Sequence, residues 1–293
     1  MFRKIKYIAL SFFVLFFGRG YYMRHHHYVP SQVKIIEVKI KGLPKALDGL
    51  KIGHLTDIHC ANYREEAHEL EEAIDLLMAQ KPDLVFITGD VIERHVKELT
   101  DCEQVLQKIQ APQGVFVTLG NHEYGPTHHY KGRHTVVDRI NKIKEKEESF
   151  GWTLLLNENR ILMIEGKQLA IIGVENYSTG SFPREGDLKK AAQGTENVDL
   201  RLLLSHDPSH WKAEVVQSDL PIALMFAGHT HGSRLKLTRG KGNPIHWYPE
   251  NHGLYQAGES QLYVSSGLGN SKKFGRRFKK REVAIIILKK DDD

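Results

Sequence analysis

Ile222-Ala223-Leu224-Met225-Phe226-Ala227-Gly228-His229-Thr230-His231-Gly232 is an apolar run that breaks at a glycine and then presents two imidazoles one residue apart. Six apolar residues bounded by a turn former read as a buried strand. In an extended segment the side chains of His229 and His231 point to opposite sides. Both rings reach one place only if the backbone turns, and the flanking glycines are expected to permit that. Open α/β sheets collect ligands beyond the carboxyl ends of their strands, which is where this pair falls.

The same grammar occurs four more times upstream. Leu50 to Leu55 leads into Asp57-Ile58-His59, and Leu84-Val85-Phe86-Ile87 leads into Gly89-Asp90. Val115-Phe116-Val117-Thr118-Leu119 leads into Gly120-Asn121-His122-Glu123, and Leu200 to Leu204 leads into His206-Asp207. Each alone has a plainer reading. Gly89-Asp90 and Gly120-Asn121-His122 are ordinary turns. His206-Asp207-Pro208 is a helix start, with Asp207 as cap and Pro208 in the first helical position. Five together, each behind an apolar strand, point to a metal centre. Asp57, His59, Asp90, Asn121, His206, His229 and His231 supply carboxylate, amide oxygen and imidazole, a mixture suited to Mn, Fe or Zn. Seven ligands exceed the needs of one tetrahedral zinc. They suit two divalent ions sharing a carboxylate, roughly 3.5–4 Å apart.

The order Asp-x-His, Gly-Asp, Gly-Asn-His-Glu, His, Gly-His-x-His resembles the calcineurin-like metallophosphoesterase superfamily, over about Leu50 to Leu288. Gly228 to Gly232, followed by Gly253-Leu254-Tyr255 and Tyr263-Val264-Ser265-Ser266-Gly267-Leu268-Gly269, resembles its membrane-associated bacterial branch of phosphodiesterases and UDP-2,3-diacylglucosamine hydrolases. The resemblance implies that Asp57, His59 and His231 hold one metal and Asn121, His206 and His229 the other. It implies that Asp90 bridges them and that a hydroxide shared by the ions is the nucleophile. It also implies that His122 faces the substrate to assist the leaving group and that Glu123 orients a neighbour. Two divalent ions less Asp57, Asp90 and one hydroxide keep about one net positive charge, which favours an anionic phosphate over a neutral ester. Metal ions lower the pKa of bound water towards ~7, and an imidazole titrates near neutrality.

The resemblance further implies an αββα sandwich, two mixed sheets between outer helices. The pattern agrees. Val33–Ile40 and Leu50–Leu55 read as strands, and Glu65–Gln80 as an amphipathic helix with Ala67, Leu70, Ala73, Ile74, Leu77 and Met78 on one face. Helices are expected over Val96–Ile109 and His134–Phe150. Short strands are expected at Trp152–Leu156, Arg160–Glu165 and Gln168–Val174, with turns at Asn157-Glu158-Asn159 and Gly166-Lys167. Tyr177–Gly186 reads as a loop, with Asn176 near the site. Beyond Gly232 come a strand at Arg234–Thr238, a Gly/Pro-rich stretch and two last strands, the final one over Val283–Leu288.

The 293 residues divide into a segment 1–30 and one domain, 31–290. Arg3, Lys4 and Lys6 precede the apolar run Ile8 to Phe17, which is shorter than the ~20 residues of a bilayer span. Gly18-Arg19-Gly20 is a poor cleavage site, and Tyr7, Tyr21 and Tyr22 suit an interfacial belt. We read an uncleaved membrane anchor, with a cleaved export signal as the alternative. Residues 1–41 carry eight basic side chains against Glu37, a net +7, so a chain of net +5 leaves −2 for the rest. Lys272, Lys273, Arg276, Arg277, Lys279, Lys280 and Arg281 are seven further positives, and without them the body is about −9. Basic charge confined to two tracts does not form the broad footprint of a duplex-binding protein, so nucleic acid is not the expected partner. Beside an apolar segment it suits an anionic membrane. Residues 272–281 are read as a membrane or headgroup contact, and otherwise as a solvated loop. No obligate protein partner is evident.

Cys60 and Cys102 make no disulfide framework. Cys60 is expected to be a small buried side chain, with a thiolate ligand as the alternative. Most of the 17 histidines are not expected to be ligands. His54 reads as a hydrogen-bonded core residue. His68, His95, His128, His129 and His134 read as solvent-facing, with His128 or His129 able to reach substrate. His252 is a candidate on the substrate side, and His25-His26-His27 a solvated linker. The function expected is hydrolysis of a phosphodiester or pyrophosphate bond in an anionic, membrane-associated or lipid-linked substrate. The alternatives are a nuclease or nucleotide phosphodiesterase of the same superfamily, and a metal-free scaffold on the same fold.

Overall fold

Two six-stranded sheets carry the structure, a computed structural model that describes residues 30–63, 67–125, 133–179, 182–233, 235–237, 245–269 and 281–291. In the first sheet β1 (Ser31–Lys41) runs in the same direction as its neighbour over Arg281–Asp291, and that last strand is antiparallel to β2 (Lys51–Leu55). Parallel β3 (Leu84–Thr88), β4 (Val115–Thr118) and β5 (Thr153–Leu154) complete it. In the second sheet β6 (Glu158–Ile164) is antiparallel to β7 (Lys167–Gly173), which is followed by parallel β8 (Leu200–Leu204) and β9 (Leu224–Ala227). The hairpin Gly253–Ala257 and Ser260–Val264 closes that sheet against β9.

Period-2 alternation assigns the layers. Ile52, Leu84, Phe86, Phe116 and Ile286 of the first sheet face Ile171, Leu202, Leu204, Leu224 and Phe226 of the second. The alternate residues Val85, Ile87, Val115 and Val117 face outward, under Leu70, Ala73, Ile74 and Leu77 of the helix Ala67–Ala79. Ile172, Leu203, Met225 and Ala227 form the other outer face, beneath Leu188, Trp211 and Val215. This is the expected αββα order of four layers, and its consequence is positional. β2, β3 and β4 of one sheet and β8 and β9 of the other end at the same rim, so five loops from two sheets meet there.

Three elements differ from expectation. The helix expected over Val96–Ile109 is two short ones, Lys97–Asp101 and Glu103–Leu106, broken at Cys102. There the Sγ of Cys102 turns in to the carbonyl of Cys60, and the Glu98 carboxylate accepts the amides of Glu93, Arg94 and His95. Before β6 the turn is carried by Asn157 alone, at φ 55°, while Glu158 and Asn159 already belong to the strand. Three strands rather than two follow residue 250, because Gly253–Ala257 folds back on Ser260–Val264.

Arg281 opens the last strand instead of closing a basic loop. It is buried and ion-paired with Glu69, so its charge is not part of a basic surface. The rest of the basic tract, the segment 1–29 with its apolar run and triple histidine, His128, His129 and the side chain of His134 lie outside the described residues. Among the described residues no helix is long and apolar enough to cross a membrane.

Candidate metal centre

Three of the five strand ends deliver their side chains through a strained backbone. Among the described residues eight non-glycine positions have a positive φ, and five of them are Asp57 (50°), His59 (50°), Asp90 (53°), His229 (66°) and His231 (49°). Left-handed geometry costs an ordinary L-residue about 1–2 kcal/mol, less for Asp and Asn, and such strain gathers at functional sites. It answers the problem of alternation. His229 and His231 both turn inward because each is itself left-handed. Gly228, expected to lend flexibility, is needed for space instead: a methyl group there would run into Thr56 Oγ1 and Asp57 Oδ2. Gly120 is similar, since a side chain on it would strike the carboxylate of Asp90.

The side chains form a chain of short separations. Asp57 Oδ1 lies 3.3 Å from His231 Nε2 and 3.9 Å from His59 Nε2. His59 Nε2 lies 3.8 Å from Asp90 Oδ2, which is 3.2 Å from His206 Nε2. His206 Nε2 is 3.1 Å from His229 Nδ1. Two groups of possible ligand atoms, Asp57–His59–His231 and Asp90–His206–His229, therefore sit side by side, with Asp90 Oδ2 facing both. A third group joins His59 and Asp90 to His122. Asn121 is buried between Gly120, packed on Asp90, and His122, whose amide donates to Asp90 Oδ1 at 2.9 Å.

Buried atoms without partners test whether cations fit. Asp57 Oδ1, His59 Nε2, Asp90 Oδ2 and Asn121 Oδ1 are all buried with no hydrogen-bond partner. Native structures keep few such atoms, and each costs about 1–3 kcal/mol. Meanwhile the other atom of each acid is occupied. Asp57 Oδ2 accepts from Thr56 Oγ1 and the His229 amide, and Asp90 Oδ1 from the His122 amide. One oxygen per carboxylate is held by protein and one is left for an ion. His206 Nδ1 can only donate to the Thr88 carbonyl, 2.7 Å away, which leaves the lone pair of Nε2 pointing inward. The donor set fits two divalent cations.

Electrostatics without metal follow from the same geometry. Burial alone would raise the Asp57 carboxyl, but His231, His59 and His206 outweigh it and hold it far below the usual range. Burial likewise opposes the ionised Asp90, yet His206, His122 and His59 keep it ionised. Burial disfavours a charged His206, and Asp90 overcomes it, raising the imidazole from 6.5 to about 9. Protons on imidazole thus balance the carboxylates when no cation does. A folded-state pKa raised above the unfolded value adds stability that is full below pH 6.5 and lost as pH climbs to about 9. Chelator-treated protein is expected to lose on the order of 3 kcal/mol across that window, read as a falling Tm. Metal-loaded protein should not follow it. A Tm of chelated protein that stays flat from pH 6.5 to 9 contradicts this protonation pattern.

Other side chains support these ligands. Glu93 Oε2 lies 3.0 Å from His59 Nδ1, and the Glu93 backbone carbonyl accepts from His122 Nδ1 at 2.7 Å. That leaves His122 Nε2 turned to the site, 3.9 Å from Asp90 Oδ2. Glu123 accepts the amides of Asp90, Ile92 and Gly120, and so holds two ligand loops together, the orienting task expected of it. Sequence reasoning misses Glu93, because nothing local marks it. Asp207 Oδ1 accepts the Ser209 amide at the start of a helix that begins one residue after Pro208.

The remaining singled-out residues lie elsewhere. His54 is fully buried, bonded to Thr88 Oγ1 and lowered by burial to about 4, a neutral core histidine. His68 and His95 are exposed. Cys60 is buried, and burial holds its thiol protonated. Asn176 ties its own loop, donating to the Pro183 carbonyl. His252 pairs with Glu282 at 2.8 Å.

Known proteins are similar to this chain. The family model for calcineurin-like phosphoesterases matches residues 50–233, the span that holds all seven ligand candidates. The chain is 28% identical to the uncharacterized metallophosphoesterase YkuE of Bacillus subtilis, over 96% of this chain and 94% of that one. It is 31% identical to the uncharacterized metallophosphoesterase Cj0846 of Campylobacter jejuni, covering 88% of this chain and 63% of the relative. It is 26% identical to phosphodiesterase YaeI of Escherichia coli, over 92% and 93%. The chain belongs to the calcineurin-like phosphoesterase family and is a metallophosphoesterase.

Proposed function

We propose that this metallophosphoesterase cleaves a phosphodiester or pyrophosphate bond with the help of two divalent cations. Asp57, His59 and His231 hold one, Asn121, His206 and His229 hold the other, and Asp90 is shared. The observation that carries this reading is the pair of ligand groups on either side of Asp90 Oδ2, with Asp57 Oδ1, His59 Nε2 and Asp90 Oδ2 itself buried and unpartnered. When bound, the cations stabilise charge on the phosphoryl oxygens and ease deprotonation of water. Manganese is the first choice of ion, with iron or zinc next.

The chain's own residues do the rest. Asp57 and Asp90 offset only half of four positive charges, so the centre attracts an anionic phosphate. His122, fixed by the Glu93 carbonyl, presents Nε2 to the leaving-group oxygen and, as the imidazolium, supplies it with a proton. The name of the Escherichia coli relative supports a phosphodiester as the bond cleaved. The apolar run in residues 8–17 and the basic tract over 272–280 support a membrane-bound or lipid-linked substrate.

A substrate panel tests this. Full-length protein in detergent micelles, loaded with Mn²⁺, is expected to hydrolyse a lipid-linked phosphodiester or pyrophosphate faster than a soluble aryl phosphodiester or a dinucleotide. Preference for the dinucleotide would make it a nuclease, and inactivity on every member would leave a scaffold. His122→Ala is expected to keep its metal and lose roughly 10²–10⁴-fold in kcat, the usual worth of a positioned proton donor. An unchanged kcat on the preferred substrate removes His122 from that role.

A further inference from the structure

One proposed metal ligand is held by a buried polar relay outside the motifs. Tyr248, buried and contributed by the Gly/Pro-rich stretch, donates its hydroxyl proton to Asp207 Oδ2 at 3.1 Å. The same hydroxyl oxygen lies 3.1 Å from His229 Nε2. With its proton committed to the carboxylate, that oxygen can only accept from His229, so Nε2 carries the hydrogen. Nδ1 then bears the lone pair, and it points at His206 Nε2, 3.1 Å away. Once His206 is neutral, the Thr88 carbonyl leaves its Nε2 a lone pair too. Two nitrogen lone pairs and the Asp90 carboxylate converge, which is the arrangement a cation needs.

We propose that Asp207 and Tyr248 are positioning residues that fix His229 as its Nε2–H tautomer and so prepare Nδ1 to bind metal. This rests on His229 being a metal ligand, as in the function proposed above. Outer partners of this kind are worth about 10–100-fold in metal affinity. Asp207 is fully buried, and its two oxygens have different tasks: Oδ1 holds the Ser209 amide and Oδ2 takes the Tyr248 proton. Pairing with a carboxylate has a directional meaning that packing lacks. If Oδ2 becomes an amide nitrogen, it donates to Tyr248, and the hydroxyl proton is released to its other neighbours, His229 and Ser178. Where it goes to His229, the imidazole moves its own hydrogen to Nδ1, where it blocks the cation.

Asp207→Asn is the test, since volume and the Oδ1 acceptor are kept. In chelated, ¹⁵N-histidine-labelled protein, His229 is expected to be Nε2-protonated in the wild type and Nδ1-protonated in the variant. Mn²⁺ titration should show two ions per wild-type chain. In the variant one affinity should be weakened roughly 10–100-fold and the other unchanged. Tyr248→Phe should weaken the same site less, because Asp207 Oδ2 already lies 3.5 Å from His229 Nε2 and can take its proton directly. It also serves as the second variant if Asp207→Asn does not fold. An unchanged tautomer with unchanged affinity in folded variants overturns the proposal. A wild type that binds no metal overturns the ligand assignment beneath it instead.

Discussion

Asp90→Asn is expected to lower kcat/KM by roughly 10³-fold or more. Loss of one preorganised charge-stabilising group costs about 10²–10³, and Asp90 Oδ2 serves two groups at once, 3.8 Å from His59 Nε2 and 3.2 Å from His206 Nε2. The substitution is nearly isosteric and keeps Oδ1 for the His122 amide, so the loop should hold. What goes is the negative charge on the oxygen that faces both groups of ligand candidates. The same change removes the main partner that lifts His206 to about 9. Chelated Asp90→Asn protein should therefore lack the stability decline between pH 6.5 and 9 expected of the wild type. Retained turnover with two bound ions would contradict the bridging assignment.

Glu69→Ala is expected to destabilise the fold by about 3–5 kcal/mol, the usual cost of stranding one partner of a buried ion pair. Arg281 sits 4% exposed at the start of the last strand, its guanidinium over the Tyr63 ring at 5.2 Å. The guanidinium's only hydrogen bond among the described residues goes from one terminal nitrogen to Glu69, while Nε and the other nitrogen are buried without partners. Removing Glu69 leaves a buried cation and no acceptor. Replacing both, as Glu69→Leu with Arg281→Met, should recover most of the loss, because apolar pairs of similar volume often match buried ion pairs. Urea unfolding of the chelated proteins measures both. A double variant as unstable as Glu69→Ala contradicts this reading of the pair, as does a single variant within about 1 kcal/mol of wild type.

Much of the site is legible in the sequence because its information is local. Each ligand stands within a few residues of an apolar strand, and a strand end fixes where a side chain emerges. Asp57, His59, Asp90, Asn121, His206, His229 and His231 can therefore be gathered from five short patterns. What brings them to one point is not local. Left-handed φ at Asp57, His59, Asp90, His229 and His231 has no marker in composition, since these residue types tolerate that conformation without requiring it. Gly228 is visible as a glycine, but whether it serves to bend or to make room depends on Thr56 and Asp57, far back in the chain.

The supporting residues are hidden for the same reason. Glu93 stands in an irregular segment, and Tyr248 lies in a stretch rich in glycine and proline. Both matter only through partners in other loops. The segment Val96–Ile109 carries a fair apolar pattern for one helix, and tertiary demand at Cys102 and Glu98 breaks it. Arg281 belongs by sequence to a basic run and by structure to the core, which only Glu69 on a distant helix decides.

The central claim is a centre for two cations that share Asp90. Metal-free full-length protein titrated with Mn²⁺, with bound metal counted by elemental analysis, tests it most directly. Two ions per wild-type chain are expected, with one retained when His206 and His229 are both replaced by alanine and neither held tightly after Asp90→Asn. One ion per wild-type chain, or two in the Asp90→Asn variant at wild-type affinity, would contradict it.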